Sequence, residues 1–174
     1  MPLRNQYQGS SFFELLQLEQ RHLLPDLSAW ATGAEGFVAG KIPHGTTVLA
    51  MRFDDGVLVA GDRLATAGHS VASRDVVKVF ATDPYSIMAI SGAAGPCIEM
   101  ARILSVELEH YEKIEGESLE LEGKANKLSQ MIRANLPAAM QGLAVVPLFA
   151  GYDTRRKTGR LWKFDITGGR YEEL

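Results

Sequence analysis

Threonine 46 follows Pro43-His44-Gly45 and opens the run Thr46-Thr47-Val48-Leu49-Ala50-Met51-Arg52-Phe53. A cut after Gly45 leaves a threonine whose own amine stands beside its hydroxyl, so one residue carries both base and nucleophile. Other groups that could do chemistry carry less. Ser91-Gly92-Ala93-Ala94-Gly95 lacks the Lys-Ser/Thr that follows a phosphate loop and reads as a tight strand-to-helix turn. Arg155, Arg156, Lys157 and Arg160 read as a solvated hairpin tip. Cys97, early in a helix beside Ile98, reads as small core packing. His22, His44, His69 and His110 have no ligand spacing, so neither a metal nor a cofactor is expected.

The elements that position Thr46 begin with the hairpin that it opens. After Asp54-Asp55-Gly56 the chain returns as Val57-Leu58-Val59-Ala60-Gly61-Asp62-Arg63. With a three-residue loop and Gly56 in the left-handed position, Phe53 pairs with Val57 and Thr46 with Leu64, which sets Asp62 diagonally beside Thr46. Thr47, Leu49, Met51, Phe53, Val57 and Val59 then share the other face, apolar enough to pack under helices. A two-residue loop inverts this arrangement.

Further strands are expected over 73–80, 85–90, 144–152 and 160–166, the last two joined by a hairpin loop over 153–159. A helix is expected from about Pro96 to Lys113, with Ile98, Ala101, Leu104, Leu108 and Tyr111 as its stripe and Gly116 ending it. A second is expected over 118–140 through Leu121, Ala125, Leu128, Ile132 and Leu136, with a kink at Pro137. Strands, then a helix pair, then strands make an α+β order rather than repeating βαβ units.

Residues 1–45 read as a separable leader: a short helix capped by Ser11, then a connector with four glycines between Ala29 and Gly45. The apolar residues near Phe12 are interrupted by Glu14 and Gln17, so no signal peptide is read there. The 174 residues are 46% hydrophobic and 22% charged with a net charge of -3, which suits one folded domain plus an extension. That charge gives no reason to expect a nucleic acid or an anionic membrane as partner. No stretch approaches the roughly 20 apolar residues of a membrane span, and a single cysteine makes no intrachain disulfide, so the cytoplasm is the expected compartment.

Taken one at a time, Thr46 is a β-branched strand opener, Asp62 a turn residue and Lys78 a solvated lysine. Together, Thr46-Thr47-Val48, Ala60-Gly61-Asp62-Arg63, Arg74-Asp75-Val76-Val77-Lys78-Val79 and Ser91-Gly92-Ala93-Ala94-Gly95, in this order, resemble the 20S proteasome β-subunit family. Val106-Glu107-Leu108-Glu109-His110-Tyr111-Glu112-Lys113 and Ala138-Ala139-Met140-Gln141-Gly142 are similar to its actinobacterial type. The resemblance covers residues 46–174.

The resemblance implies an αββα sandwich of the N-terminal nucleophile hydrolases and a threonine endopeptidase that degrades unfolded proteins, made as a precursor and self-cleaved between Gly45 and Thr46. The freed amine, with an unperturbed pKa of about 7.7 to 8, accepts the Thr46 hydroxyl proton and later returns it. The threonine methyl restricts χ1 and holds the nucleophile in one rotamer. By the same resemblance Lys78 lies near the amine, Asp62 holds the lysine, and the Gly92 N–H is the oxyanion donor. Ala65, Val76, Ile90 and Ala94 match positions of the primary specificity pocket and suggest an apolar side chain there. The implied partners are α subunits, other β subunits in seven-membered rings, and an ATPase activator ring. The family's domain continues past the point where residue 174 stands, so the C-terminal half of the sandwich, with its second helix pair, is missing from this chain. Two other readings stay open: a catalytically inactive assembly subunit, and another N-terminal nucleophile amidohydrolase acting on small amides.

Overall fold

The computed structural model describes residues 46–67 and 70–173, and the expected leader, including Gly45, lies outside the described residues. Two small antiparallel ribbons pair β1 (Val48–Phe53) with β2 (Gly56–Gly61) and β3 (Ala65–Ala67) with β4 (Ser70–Ser73). A five-stranded antiparallel sheet follows in the spatial order β5 (Val79–Asp83), β6 (Ser86–Ala89), β7 (Leu148–Asp153), β8 (Thr158–Phe164) and β9 (Arg170–Glu173). Between β6 and β7 the chain forms α1 (Ala94–Glu115), α2 (Leu121–Ala134) and the short α3 (Leu136–Ala139). The order is α+β, as the residue pattern predicts.

Alternation along the sheet assigns its two faces. Phe149 of β7 and its cross-strand partner Trp162 of β8 point to the helices, their rings 6.1 Å apart. They pack with Cys97, Met100, Ala101, Leu104 and Leu108 of α1 and with Leu121, Ala125, Leu128 and Ile132 of α2, which recur at three and four and so form one stripe on each helix. Residues one step out of phase on β8 meet the β1–β2 hairpin instead. A Cβ added at Gly159 would stand 2.2 Å from the Gly56 carbonyl oxygen, so this close crossing of two backbones admits only glycine. Hairpin, sheet and helix pair therefore stack as three layers. On the outer face of the hairpin, Leu49, Met51, Phe53 and Leu58 stay about half exposed.

The hairpin corrects the expected register. Phe53 pairs with Gly56 and Val48 with Gly61, so Asp54-Asp55 alone makes the turn. Gly56 is not among the residues with positive φ; it opens β2, buried against β8. Extending this register sets Thr47 level with Asp62, where the expected pairing of Thr46 with Leu64 puts Val48, and the Asp62 N–H donates to the Thr47 carbonyl at 3.0 Å. The valines are redistributed too: Val57 and Val59 are partly covered, while Leu58 joins Leu49, Met51 and Phe53 on the outside.

Other boundaries shift for local reasons. The strand expected over 73–80 does not form as one piece: β4 ends at Ser73, and β5 begins only at Val79. The expected second helix breaks at Asn135, whose N–H donates to the Ile132 carbonyl at 3.0 Å, two residues before Pro137 disrupts the ladder. Pro147, which has no N–H, delays β7 until Leu148. The strand β9 was not expected from Arg170-Tyr171-Glu172-Glu173, a polar edge.

Arg160 is not a solvated tip residue. It is 4% exposed, with its guanidinium over the Trp162 ring at 4.6 Å. Its Nε and Nη2 donate to the two Glu172 oxygens at 2.7 and 2.8 Å, and Nη1 donates to Asp153 Oδ2 at 3.2 Å and to Glu122 Oε2 at 3.3 Å. One cation thus ties β7, β8, β9 and α2. Removing it takes from the buried Asp153 carboxylate its Arg160 partner and leaves Glu122 and Glu172, which share that cation, without it. Arg160→Ala in the full-length protein is expected to lower stability by about 3 kcal/mol, read from the midpoint of a urea transition. An unchanged midpoint would contradict a structural role for the cluster.

Candidate active site

Thr46 and Thr47 lead into β1, Thr46 half-buried and Thr47 exposed. Asp62, just after β2, is held from three sides. The Thr47 N–H donates to its Oδ1 at 2.8 Å, the Leu64 N–H donates to Oδ2 at 3.0 Å, and Lys78 Nζ donates to Oδ1 at 2.7 Å. The hydrogen bond from Lys78, and then that from Thr47, hold the Asp62 carboxyl down at about 2, against a desolvation that works the other way. A depressed carboxylate keeps its interactions above its unfolded pKa and loses them only as pH falls through the folded value. The Asp62 carboxylate that anchors Lys78 is thus held ionised well below the usual carboxylate range.

Lys78 is 5% exposed, and its ammonium also donates to the Leu64 carbonyl at 2.7 Å. A buried ammonium needs such partners, because an uncompensated charge in the interior costs several kcal/mol. The irregular stretch before β5 has a use here: outside a regular strand, the Val76 N–H donates to the Arg63 carbonyl at 3.0 Å and the Lys78 carbonyl accepts from Ile90 at 2.8 Å. These bonds draw residues 62–64, 76–78 and 90 together.

Ile90 leads directly into Ser91-Gly92-Ala93. Gly92 has φ +114, and a Cβ there would lie 2.2 Å from the Ala144 carbonyl oxygen, so both conformation and space require glycine. The turn is braced by residues 144–146. The Ala93 N–H donates to the Ala144 carbonyl at 2.8 Å, and the Val146 N–H donates to the Ser91 carbonyl at 2.9 Å. Gly92 and Val145 face each other between those two bonds, in the antiparallel position whose own N–H and C=O point away from the neighbouring strand. The Gly92 N–H thus belongs to the free edge of the turn.

The remaining expected positions divide. Ala65 at the start of β3 and Val76 are half-buried, Ala94 opens α1 exposed, and Ile90 is 3% exposed within the core cluster. Cys97 is buried as the sequence suggests; burial pushes its thiol up to about 12, so it stays protonated, and it donates to the Ser91 carbonyl at 3.4 Å. Among the described residues, no group of three or more His, Cys, Asp or Glu side chains is arranged to hold a metal ion. No helix among them is long and apolar enough to cross a membrane.

Sequence reasoning did not find three contributors: the Thr47 amide, the Leu64 carbonyl and the 144–146 brace. All three act through backbone atoms, which leave no side-chain signature. Only Pro147, stopping the apolar run early, hinted that residues 144–146 lie outside the sheet.

Arrangements of this kind can be compared with known proteins. The family model described as "Proteasome subunit" matches residues 42–174. A protein named "Proteasome subunit beta" from Acidimicrobium ferrooxidans is 52% identical over 166 residues, covering 95% of this chain and 59% of the relative. A second of the same name, from Acidothermus cellulolyticus, is 52% identical over 168 residues, covering 94% of this chain and 57% of the relative. The chain thus spans somewhat more than half the length of these curated relatives.

Proposed function

Because the chain belongs to the proteasome subunit family, we propose that it carries the nucleophile-bearing part of a threonine endopeptidase in a proteasome core. The observation that supports this most is the buried Lys78 ammonium 2.7 Å from Asp62, whose carboxylate also binds the amide next to Thr46. In this reading residues 1–45 are a propeptide: the Thr46 hydroxyl attacks the Gly45 carbonyl, the Gly45–Thr46 C–N bond breaks to free the Thr46 amine, and water hydrolyses the resulting ester to release the leader. The new terminal amine takes the hydroxyl proton as Thr46 Oγ1 adds to a substrate carbonyl. A cation nearby disfavours a second positive charge on that amine, which keeps it available as a base. The Gly92 N–H receives the negative charge that develops on the carbonyl oxygen. Collapse expels the peptide amine, which takes the proton, and water then hydrolyses the threonyl ester.

Ala65, Val76, Ile90 and Ala94 would shape an apolar primary pocket, and the substrates would be unfolded proteins. Partners would be α subunits, other β subunits in seven-membered rings, and an ATPase activator ring, with the cytoplasm as compartment. Coexpression of the full-length protein with its α partner tests the reading. Intact mass spectrometry should show loss of residues 1–45, and a threonine-directed inhibitor should add its mass at the new terminus. A wild-type chain that assembles yet keeps its leader and stays unlabelled would overturn it.

A further inference from the structure

We infer that Val146 and Cys97 are positioning residues for the oxyanion donor: together they hold the Ser91–Gly92 peptide plane in the orientation that aims the Gly92 N–H outward. The inference rests on the role proposed above for Gly92. In a trans peptide, the carbonyl of one residue and the N–H of the next lie in one plane and point in opposite directions. Whatever grips the Ser91 oxygen therefore sets the direction of the Gly92 proton. Two donors grip it, the Val146 N–H at 2.9 Å and the Cys97 thiol at 3.4 Å.

Glycine makes this grip necessary. With no Cβ, Gly92 tolerates several φ values, so its own torsional preference does not hold the plane. The neighbouring plane is tied by the Ala93 N–H to the Ala144 carbonyl at 2.8 Å, which leaves the Ser91–Gly92 plane as the one that its carbonyl must anchor. Both donors are well placed for a constant grip. Cys97 is fully buried in the first turn of α1, with its N–H donating to the Ala93 carbonyl at 3.1 Å, so its sulfur has little freedom. Val146 acts through its backbone: the residue is 37% exposed, and Pro147 already restricts it to extended conformations.

The test uses the full-length, assembled, leader-free protein. Val146→Pro removes the N–H, Val146→Ala keeps it, Cys97→Ala removes the thiol, and Cys97→Ser keeps a donor. A peptide aldehyde, which forms a tetrahedral adduct with an oxyanion, reports on the donor; a non-covalent peptide inhibitor reports on ground-state binding alone. Val146→Pro is expected to lower kcat and weaken the aldehyde by about tenfold each, with KM and non-covalent affinity held within about twofold, as befits loss of a transition-state interaction. Cys97→Ala should move the same two quantities by about threefold, and Cys97→Ser and Val146→Ala should restore them. Should Val146→Pro fail to assemble, the Cys97 pair decides. Unchanged kcat and aldehyde affinity in the thiol-free variant would overturn the inference, as would equal losses in KM and non-covalent affinity. A wild-type protein without Thr46-dependent activity is a separate outcome, one that removes the proposed role of Gly92 itself.

Discussion

Thr46→Ala is expected to abolish leader removal and peptidase activity together. The hydroxyl is the proposed attacking group in both reactions, and removing a nucleophile from a working site typically costs about 10⁴-fold or more in kcat. The surroundings should be unaffected, because Asp62 is bound through the Thr47 amide and Lys78, neither of which needs the Thr46 side chain. Fluorogenic peptide hydrolysis and intact mass would be measured on the same assembled sample. Thr46→Ser should process and turn over, slowed by about tenfold at most, since only the rotamer restraint of the methyl is lost. An alanine variant that arrives processed would show that another group cuts the chain, and the self-cleavage mechanism would have to be abandoned.

Gly92→Ala should rank second. The added methyl would stand 2.2 Å from the Ala144 carbonyl oxygen, and a φ of +114 is one that an L side chain rarely adopts. The turn must therefore move, and with it the N–H proposed to receive the oxyanion; loss of one such donor is worth about 10²-fold in kcat. Gly95, three residues on, is the natural control. A Cβ there meets nothing within 4 Å, and it lies inside α1, so Gly95→Ala should stabilise by about 0.5 kcal/mol and leave turnover intact. Equal activity losses in the two variants would mean that the motif responds to general disturbance and not to the aim of one amide.

The parts of the fold that could be read in advance are those where one periodicity dominates. In α1, Ala101, Leu104 and Leu108 of the expected stripe and the end at Gly116 follow from three-and-four spacing and a glycine stop, whereas Tyr111 is exposed and the buried stripe begins at Cys97 and Met100. The β1–β2 register did not follow, because Gly56 has two possible uses. A turn glycine and a glycine for close packing look alike in sequence, and only the position of β8 decides between them. The strand β9 was missed for a related reason: Tyr171 and Glu172 are exposed on an edge, while Glu172 also pairs with Arg160 across twelve residues of chain. In the site, the pairing of Asp62 with Lys78 was legible through the resemblance. The Thr47 and Leu64 amides on Asp62 and the Val146 amide on Ser91 were not, because backbone N–H and C=O groups are the same in every residue.

The guanidinium of Arg160 has a consequence for the order of events during synthesis. Its partners are drawn from positions 7, 12 and 38 residues away along the chain. Two of them precede it and one follows, so a ribosome that has just released residue 160 has delivered a cation with its bidentate acceptor still to come. Dehydrating it at that stage would leave its Nε without its Glu172 acceptor, with Asp153 and Glu122 alone to answer the charge, which disfavours closing this end of the sheet before Glu172 emerges. The cluster is thus complete only once β9 is in place beside β8.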